Sequence, residues 1–532
     1  YDRATGETFY DRSLRPACND GVIGANRLLY LGPWLCDCNL TLLGTIALSS
    51  AGDFRFDIEA RTSERLERTG HTIDKGAALK ATDIDWPTYR ATNDRKASTS
   101  VVVPTDAVKL WKFVPGAPNL PTPPVAAGGL IFLGGSDCAV RAIEASTGIE
   151  KWSYLTAGSI MRSPTFWRGR VYVGSGDGYI YCLDAAHGTL LWRFRASPVE
   201  RRIMVYGSLS STWPVNSGVL VQDGVAYAAA GIIDFDGTYV YALDAVTGEI
   251  IWQNNSSGHL DARRRKGVSA QGILTIADGK LLLAGGNMIS PGIYDLADGT
   301  CLNEPPGDRK TNRGEEIAVL NGRYIVLGGR LQRSARKNVV SPAYFEAHQI
   351  IEGKGSDKRK VLNKGRICPA WNDELIVFVD GRNLMPSCFS VASMDEYLQQ
   401  DVRASALPSE RWTAQKPKGS EGRTLRTAHS GYRLPVDRDT VSLAIVRNAV
   451  IAVYETVGYE SHQARWSVAA LDINDGSVVW EHDLKPWGPL VARANMVNTL
   501  AEPALPGGLL VDRAGRVVVV LENGSVVCFG EK

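Results

Sequence analysis

The chain has 532 residues, 44% apolar and 22% charged, enough for one large domain or several ordinary ones, each with a buried core. Fifty-nine Lys and Arg against 57 Asp and Glu leave a formal charge of +2. That argues against a nucleic-acid partner, because phosphate backbones select strong positive fields. The 54 Gly and 25 Pro make the chain turn-rich without collagen-like or disordered composition, and no apolar run approaches the roughly 18 residues of a transmembrane segment.

From the front, the chain opens at Tyr1 without a leader-type segment, as expected of a processed chain or a piece of a longer one. Nine cysteines, an odd number, leave at least one unpaired. Cys18, Cys36 and Cys38 cluster, and one disulfide among them is the expectation. A metal site is the competing reading, but no fourth ligand stands at finger spacing. Cys182 and Cys528 lie on strand-like stretches, as small buried hydrophobes do. Residues 1–82 hold a strand pair, Arg27 to Leu31 and Leu43 to Leu48, followed by a charged helix or linker from Arg61 to Lys80. They read as the remnant of a preceding unit or as an extra module.

Beyond residue 83 a repeat organises the chain. Glu144, Gly148 and Trp152; Asp184, Gly188 and Trp192; Asp244, Gly248 and Trp252; and Asp472, Gly476 and Trp480 all share one spacing, with Gly four residues after the acid and Trp four after the Gly. This spacing predicts a β-hairpin. The acid accepts hydrogen bonds from turn amides, the Gly takes the φ > 0 position, and the Trp lies on the following strand. An upstream hairpin (Asp177-Gly178 and Asp223-Gly224 mark two such turns) completes a four-stranded antiparallel unit with two apolar faces. Such units bury both faces only by packing against neighbours, with Trp in the gap. Weaker copies begin near Asp278-Gly279, Asn321-Gly322 and Asn372-Asp373. The last unit has three strands over 507–529. Val108 to Phe113, with Trp111, resembles the missing fourth strand, and its pairing there would close the array and remove its free edges.

These motifs, together with Asp85-Trp86-Pro87-Thr88-Tyr89-Arg90, resemble the repeats of the pyrroloquinoline quinone (PQQ) dehydrogenase-like β-propellers. The resemblance implies an all-β, eight-bladed β-propeller of four-stranded antiparallel blades over 83–532, and a bacterial protein exported to the periplasm or beyond. Its enzymatic members hold PQQ at the channel mouth, with Ca²⁺ bound by Glu, Asn and Asp, often beside a vicinal Cys-Cys disulfide. This chain has no adjacent cysteines and no Cys-x-x-Cys-His haem segment. No cofactor is therefore expected, with PQQ plus calcium the competing outcome.

The loops after the motif tryptophans carry basic residues at similar points: Arg162; Arg201 and Arg202 with Trp213; Arg264; and Arg493 with Asn495. Around a ring these side chains converge on the channel, and Arg suits carboxylate, sulfate or phosphate. Pairing with carboxylates of neighbouring units is the competing reading. His429 and Tyr432, with Arg426, form the weaker catalytic candidate, a base–acid–cation group suited to an enzyme acting on anionic polysaccharide. The expectation is a binding or scaffold module engaging a protein partner or an anionic glycan or small molecule. The alternatives are a polysaccharide enzyme and a PQQ/Ca²⁺ dehydrogenase.

Overall fold

In a computed structural model of the chain, the acid of each motif caps its own turn. Asp184 Oδ1 accepts from the Ala186 N–H at 2.8 Å, Asp244 Oδ1 from Val246 and Thr247 at 2.9 and 2.7 Å, and Asp472 Oδ1 from Asn474 at 2.8 Å. Gly148, Gly188, Gly248 and Gly476 then adopt φ of +74°, +73°, +77° and +72°, the left-handed region that a Cβ penalises. The structure describes residues 4–6, 22–34, 44–49, 60–73, 78–205, 208–231, 237–258, 267–285, 291–302, 314–320, 323–328, 344–349, 359–363, 367–379, 385–399, 408–415, 436–458, 463–489 and 503–532.

Among the described residues, eight antiparallel sheets of three or more strands follow one another from residue 108 onward. The first runs from Val125–Ala127 to Glu150–Leu155 and the second from Thr165–Trp167 to Leu190–Arg195. The third spans Val219–Gln222 to Ile250–Asn254, and the fourth, with three strands, Leu274–Ala277 to Gly292–Asp295. The fifth spans Gly314–Leu320 to Arg359–Asn363, the sixth Ala370–Trp371 to Trp412–Thr413, and the seventh Val436–Ile445 to Val478–Pro489. The eighth is made of Ala504–Val511, Val517–Leu521, Val526–Gly530 and, from far upstream, Val108–Phe113, with Trp111 opposite Cys528.

The cores lie between sheets. Phe132 and Ala142 of the first sheet pack with Phe166, Val171 and Leu183 of the second, and Trp192 and Phe194 of the second pack with Ala228, Tyr241 and Leu243 of the third. These faces are strand-borne, so the alternation of side chains along each strand serves two interfaces at once.

Four tryptophans on the outer strands dock on the turn of the next sheet. Trp111 Nε1 donates to Ala145 O at 3.1 Å, Trp152 to Ala185 O at 3.0 Å, Trp252 to Leu296 O at 2.8 Å and Trp412 to Ile473 O at 3.0 Å. The indole rings cover Gly148, Gly188, Gly299 and Gly476 so closely that a Cβ there would collide with them. Trp480 Nε1 bonds Pro104 O at 2.9 Å. Trp192 departs from the pattern: it is buried, its Nε1–H has no partner, and the equivalent acceptor, Ala245 O, takes the Tyr172 hydroxyl at 2.8 Å.

The N-terminal part meets the structure at this same place. Thr62–Arg65 forms a single helical turn, and Leu66–Arg68 adds to the outer edge of the second sheet as a fifth strand, with Leu66 opposite Phe194. Leu66 and Trp192 both pack on Gly248, 2.7 and 2.8 Å from where a Cβ would stand, and the buried Arg65 donates to Tyr241 Oη at 3.0 Å. The charged stretch is thus an edge strand clasping two sheets. Ahead of it, Val22–Ala25, Leu28–Trp34 and Gly44–Leu48 form a separate three-stranded sheet. Cys182, Cys368, Cys388 and Cys528 are buried free thiols, Cys138 is half-buried and free, and Cys301 is half-buried. Cys18, Cys36 and Cys38 lie outside the described residues. Among the described residues no helix is long and apolar enough to cross a membrane.

Candidate functional site

The segment 85–99 runs across the first strands of successive sheets. Trp86 exchanges backbone hydrogen bonds with Ala126 of the first sheet, and Pro87 O accepts from Phe166 N–H of the second at 2.7 Å. The Asn93 side chain donates to Val221 O of the third at 3.1 Å, while Asn93 O accepts from Ile276 of the fourth. Asp94 O, Lys96 O and Ala97 O then accept from Val319, Trp371 and Ile445 of the fifth, sixth and seventh sheets at 3.0, 2.9 and 2.9 Å. Arg513 of the eighth stands 3.9 Å from Asp85. Most of these contacts fall near the last residues of the first strands, so the segment forms a floor at that end.

The floor is held by two buried arginines. Arg95 Nη1 donates to Thr88 Oγ1 and Tyr89 O at 3.1 and 3.0 Å and Nη2 to Leu274 O at 2.5 Å, while Arg90 reaches Arg95 O, Cys368 O and Pro369 O. Arg90, Ala91, Arg95 and Ala97 have φ of +57°, +71°, +70° and +54°, a run of left-handed non-glycine residues that persists only where surrounding contacts over-determine it. Burial pushes the Arg95 guanidinium down to about 10, which leaves it cationic at neutral pH.

Above the floor, at the first residues of the same strands, lies a cavity of about 190 Å³. Its deep wall includes Thr88, Tyr89, Arg95, Ser163, Thr165 and Glu316, and its rim Leu120, Pro121, Met161 and Arg162. Tyr89 Oη donates to Glu316 Oε1 at 3.0 Å. Burial, reinforced by Glu316, holds both the Tyr89 hydroxyl and the Cys368 thiol well above their usual ranges, so both are protonated donors. Glu316 is the one carboxylate of the described lining, and among the described residues neither Arg90 nor Arg95 is within ion-pair distance of a carboxylate. In a low-dielectric recess this leaves a positive potential.

The arginines marked in the sequence fare differently. Arg162 lines the cavity, with Nε on Asn216 O at 3.0 Å and Nη2 on Gln271 O at 2.5 Å. Arg201 stacks 4.9 Å over the ring of buried Trp213, and Arg202 is exposed beside Glu200 at 3.4 Å; none of the three lines the cavity. Arg264, Arg493, Asn495, His429 and Tyr432 lie outside the described residues. Sequence reasoning passed over Arg95 and Glu316. The one available signal was their position, six residues past Tyr89 and at the head of a strand.

Calcium takes about six to eight oxygen ligands, mostly from carboxylates and carbonyls. Glu316 is the one carboxylate of the described lining and already accepts from Tyr89. Among the described residues no group of three His, Cys, Asp or Glu could hold a metal, and a calcium–quinone pair does not fit this donor set.

Residues 157–352 match the family model described as outer membrane protein assembly factor BamB. The quinohemoprotein alcohol dehydrogenase of Comamonas testosteroni is 28% identical over 190 residues, covering 32% of this chain and 25% of that enzyme. The serine/threonine-protein kinase AfsK of Streptomyces griseus is 31% identical over 154 residues, 27% of this chain and 17% of the kinase. The chain thus matches a quarter or less of the length of these relatives. The crystal structure of the Comamonas enzyme superposes with a TM-score of 0.53 at 13% identity, over 86% of this chain and 82% of that one. The shared fold is an all-β propeller.

Proposed function

We propose that this chain, whose repeats are of the PQQ-dehydrogenase-like kind, is an exported eight-bladed propeller that binds an anionic group at its channel mouth without PQQ redox activity. In this reading residues 83–532 form the ring, closed through Val108–Phe113, and residues 1–82 form a module clasped to it. The ligand is a small anion or the acidic side chain of a protein partner. The observation that carries the reading is the buried Arg95 on the cavity wall, held by the Thr88 hydroxyl and by backbone carbonyls, with Arg90 beneath it. Calorimetric titration with citrate and sulfate tests it. Binding that weakens at least tenfold in Arg162→Gln supports the reading, and no heat with either anion removes it.

A second reading, quinone-dependent alcohol oxidation, is favoured by the names of the relatives. Addition of PQQ with Ca²⁺ tests it separately: a quinone absorbance that stays with the protein through gel filtration, with dye reduction by alcohols, would displace the binding reading.

A further inference from the structure

Among the described sheets only the second carries a fifth strand. Leu66–Arg68 lies antiparallel on its outer edge, with Leu66 opposite Phe194, Glu67 opposite Arg193 and Arg68 opposite Trp192. The pairing ends with Thr69 N–H on Leu191 O at 3.2 Å. The side chains are recognised as well. Leu66 packs on Gly248 of the third sheet, Glu67 accepts from Arg193 at 2.9 and 2.7 Å, and Arg68 reaches Thr247 O and Glu249 at 2.9 and 2.8 Å. Ala60 N–H donates to the Gln253 side chain at 2.9 Å. Residues 60–69 thus occupy a groove between two sheets as an added peptide does, with main-chain bonds for affinity and side-chain contacts for selection.

The joint beneath them is complete without them. Tyr172 Oη of the second sheet donates to Ala245 O at 2.8 Å, Tyr241 Oη of the third donates to Ala196 O at 2.9 Å, and Phe194 meets Tyr241 edge-on at 5.2 Å. The hold on the segment is light. Its pairs Arg68–Glu249 and Glu67–Arg193 are solvent-exposed, where ion pairs contribute little. Arg65 is 5% exposed, yet its partner is the neutral Tyr241 hydroxyl, and among the described residues no carboxylate lies within ion-pair distance of it. Its desolvation is therefore poorly offset.

We infer that this groove is a strand-addition site for an extended peptide segment, closed by the chain's own strap, residues 60–69, which leaves while the ring stays folded. The segment it takes follows the strap's pattern over 65–68: an arginine for Tyr241, an apolar side chain over Gly248, an acid for Arg193 and a second arginine for Glu249. The site lies on outer strands and does not depend on the anion reading of the channel mouth.

The test uses the full chain and a labelled synthetic peptide of residues 60–73. In a full-length variant with Arg65→Glu and Leu66→Asp, trypsin is expected to cut within 60–73 faster than in the unaltered chain, with the main unfolding transition retained. The peptide is expected to bind this variant about tenfold or more tightly than the unaltered chain, whose tethered strap competes at a roughly millimolar effective concentration. A peptide carrying the same two substitutions is expected not to bind. Equal affinity for the two chains, or no binding by the variant once its strap is cut rapidly, overturns the inference, as does a strap cut no faster than before. Should the variant not fold, amide hydrogen exchange on the unaltered chain decides: residues 66–69 are expected to exchange about 100-fold or more faster than Tyr239–Asp244 of the third sheet. One common rate, as when the strap opens only with the ring, overturns it.

Discussion

Replacing Gly188 by Ala isolates the energetics of the tryptophan docking. Gly188 has φ +73°, and a Cβ there would stand 2.5 Å from Trp152 Cε3 and 2.6 Å from Cδ2. A left-handed residue with a side chain costs roughly 1–2 kcal/mol. The collision adds more, because the indole must leave the turn. It then loses its 3.0 Å bond to Ala185 O, worth about 1 kcal/mol. Re-exposing on the order of 60–80 Å² of ring adds about 1.5–2 kcal/mol. The expected cost is about 3–5 kcal/mol. Gly279 provides the control: its φ is +69°, but nothing lies within 4 Å of its Cβ position, so Gly279→Ala should cost only the backbone term of about 1–2 kcal/mol. Urea unfolding of the two variants, read by circular dichroism and by tryptophan emission, measures the difference. Equal destabilisation would refute the claim that the indole-on-glycine contact holds adjacent sheets together.

Three further outcomes follow from the same physics. Trp412→Ala removes a buried indole bonded to Ile473 O and should destabilise by about 3–5 kcal/mol, measurable by the same unfolding experiment. Leu66→Ala empties the half-buried wedge against Trp192 and Gly248. It should cost about 1–2 kcal/mol, below a fully buried Leu→Ala, and should speed tryptic cleavage within 60–73 more than elsewhere. Burial pushes the Glu481 carboxyl up, but Arg438 at 2.9 Å, the Ser467 hydroxyl and Arg465 outweigh it and hold the group below its usual 4.5. A depressed folded-state value means stability that is present above pH 4.5 and lost as pH falls through the lower value. The stability gap between the unaltered chain and Glu481→Gln should therefore shrink on the acid side of pH 4.5, as followed by melting temperature against pH.

The repeat was legible because its chemistry is local. Acid, Gly and Trp stand within nine residues, the turn needs φ > 0 at one of them, and Gly meets that need without strain. Where a unit drifts from the spacing, legibility fades. Gly299 hosts Trp252, although its own sheet lacks a motif tryptophan, and Trp412 docks on Gly476 without an acid–Gly turn ahead of it. The clasp at Leu66 was hidden for a different reason: three residues of edge strand carry too short a pattern to read, and what fixes them is the groove beside Trp192.

By itself, then, the amino-acid sequence determined the small antiparallel sheets, their turns and the indoles between them, since each depends on residues a few positions apart. The channel belongs to the tertiary structure alone. Tyr89 meets Glu316 across 227 positions and Arg95 meets Leu274 across 179, and no period in the sequence links them. Burial there makes each arginine N–H and the carbonyl or hydroxyl that takes it count for more, because removing water strengthens every electrostatic contact.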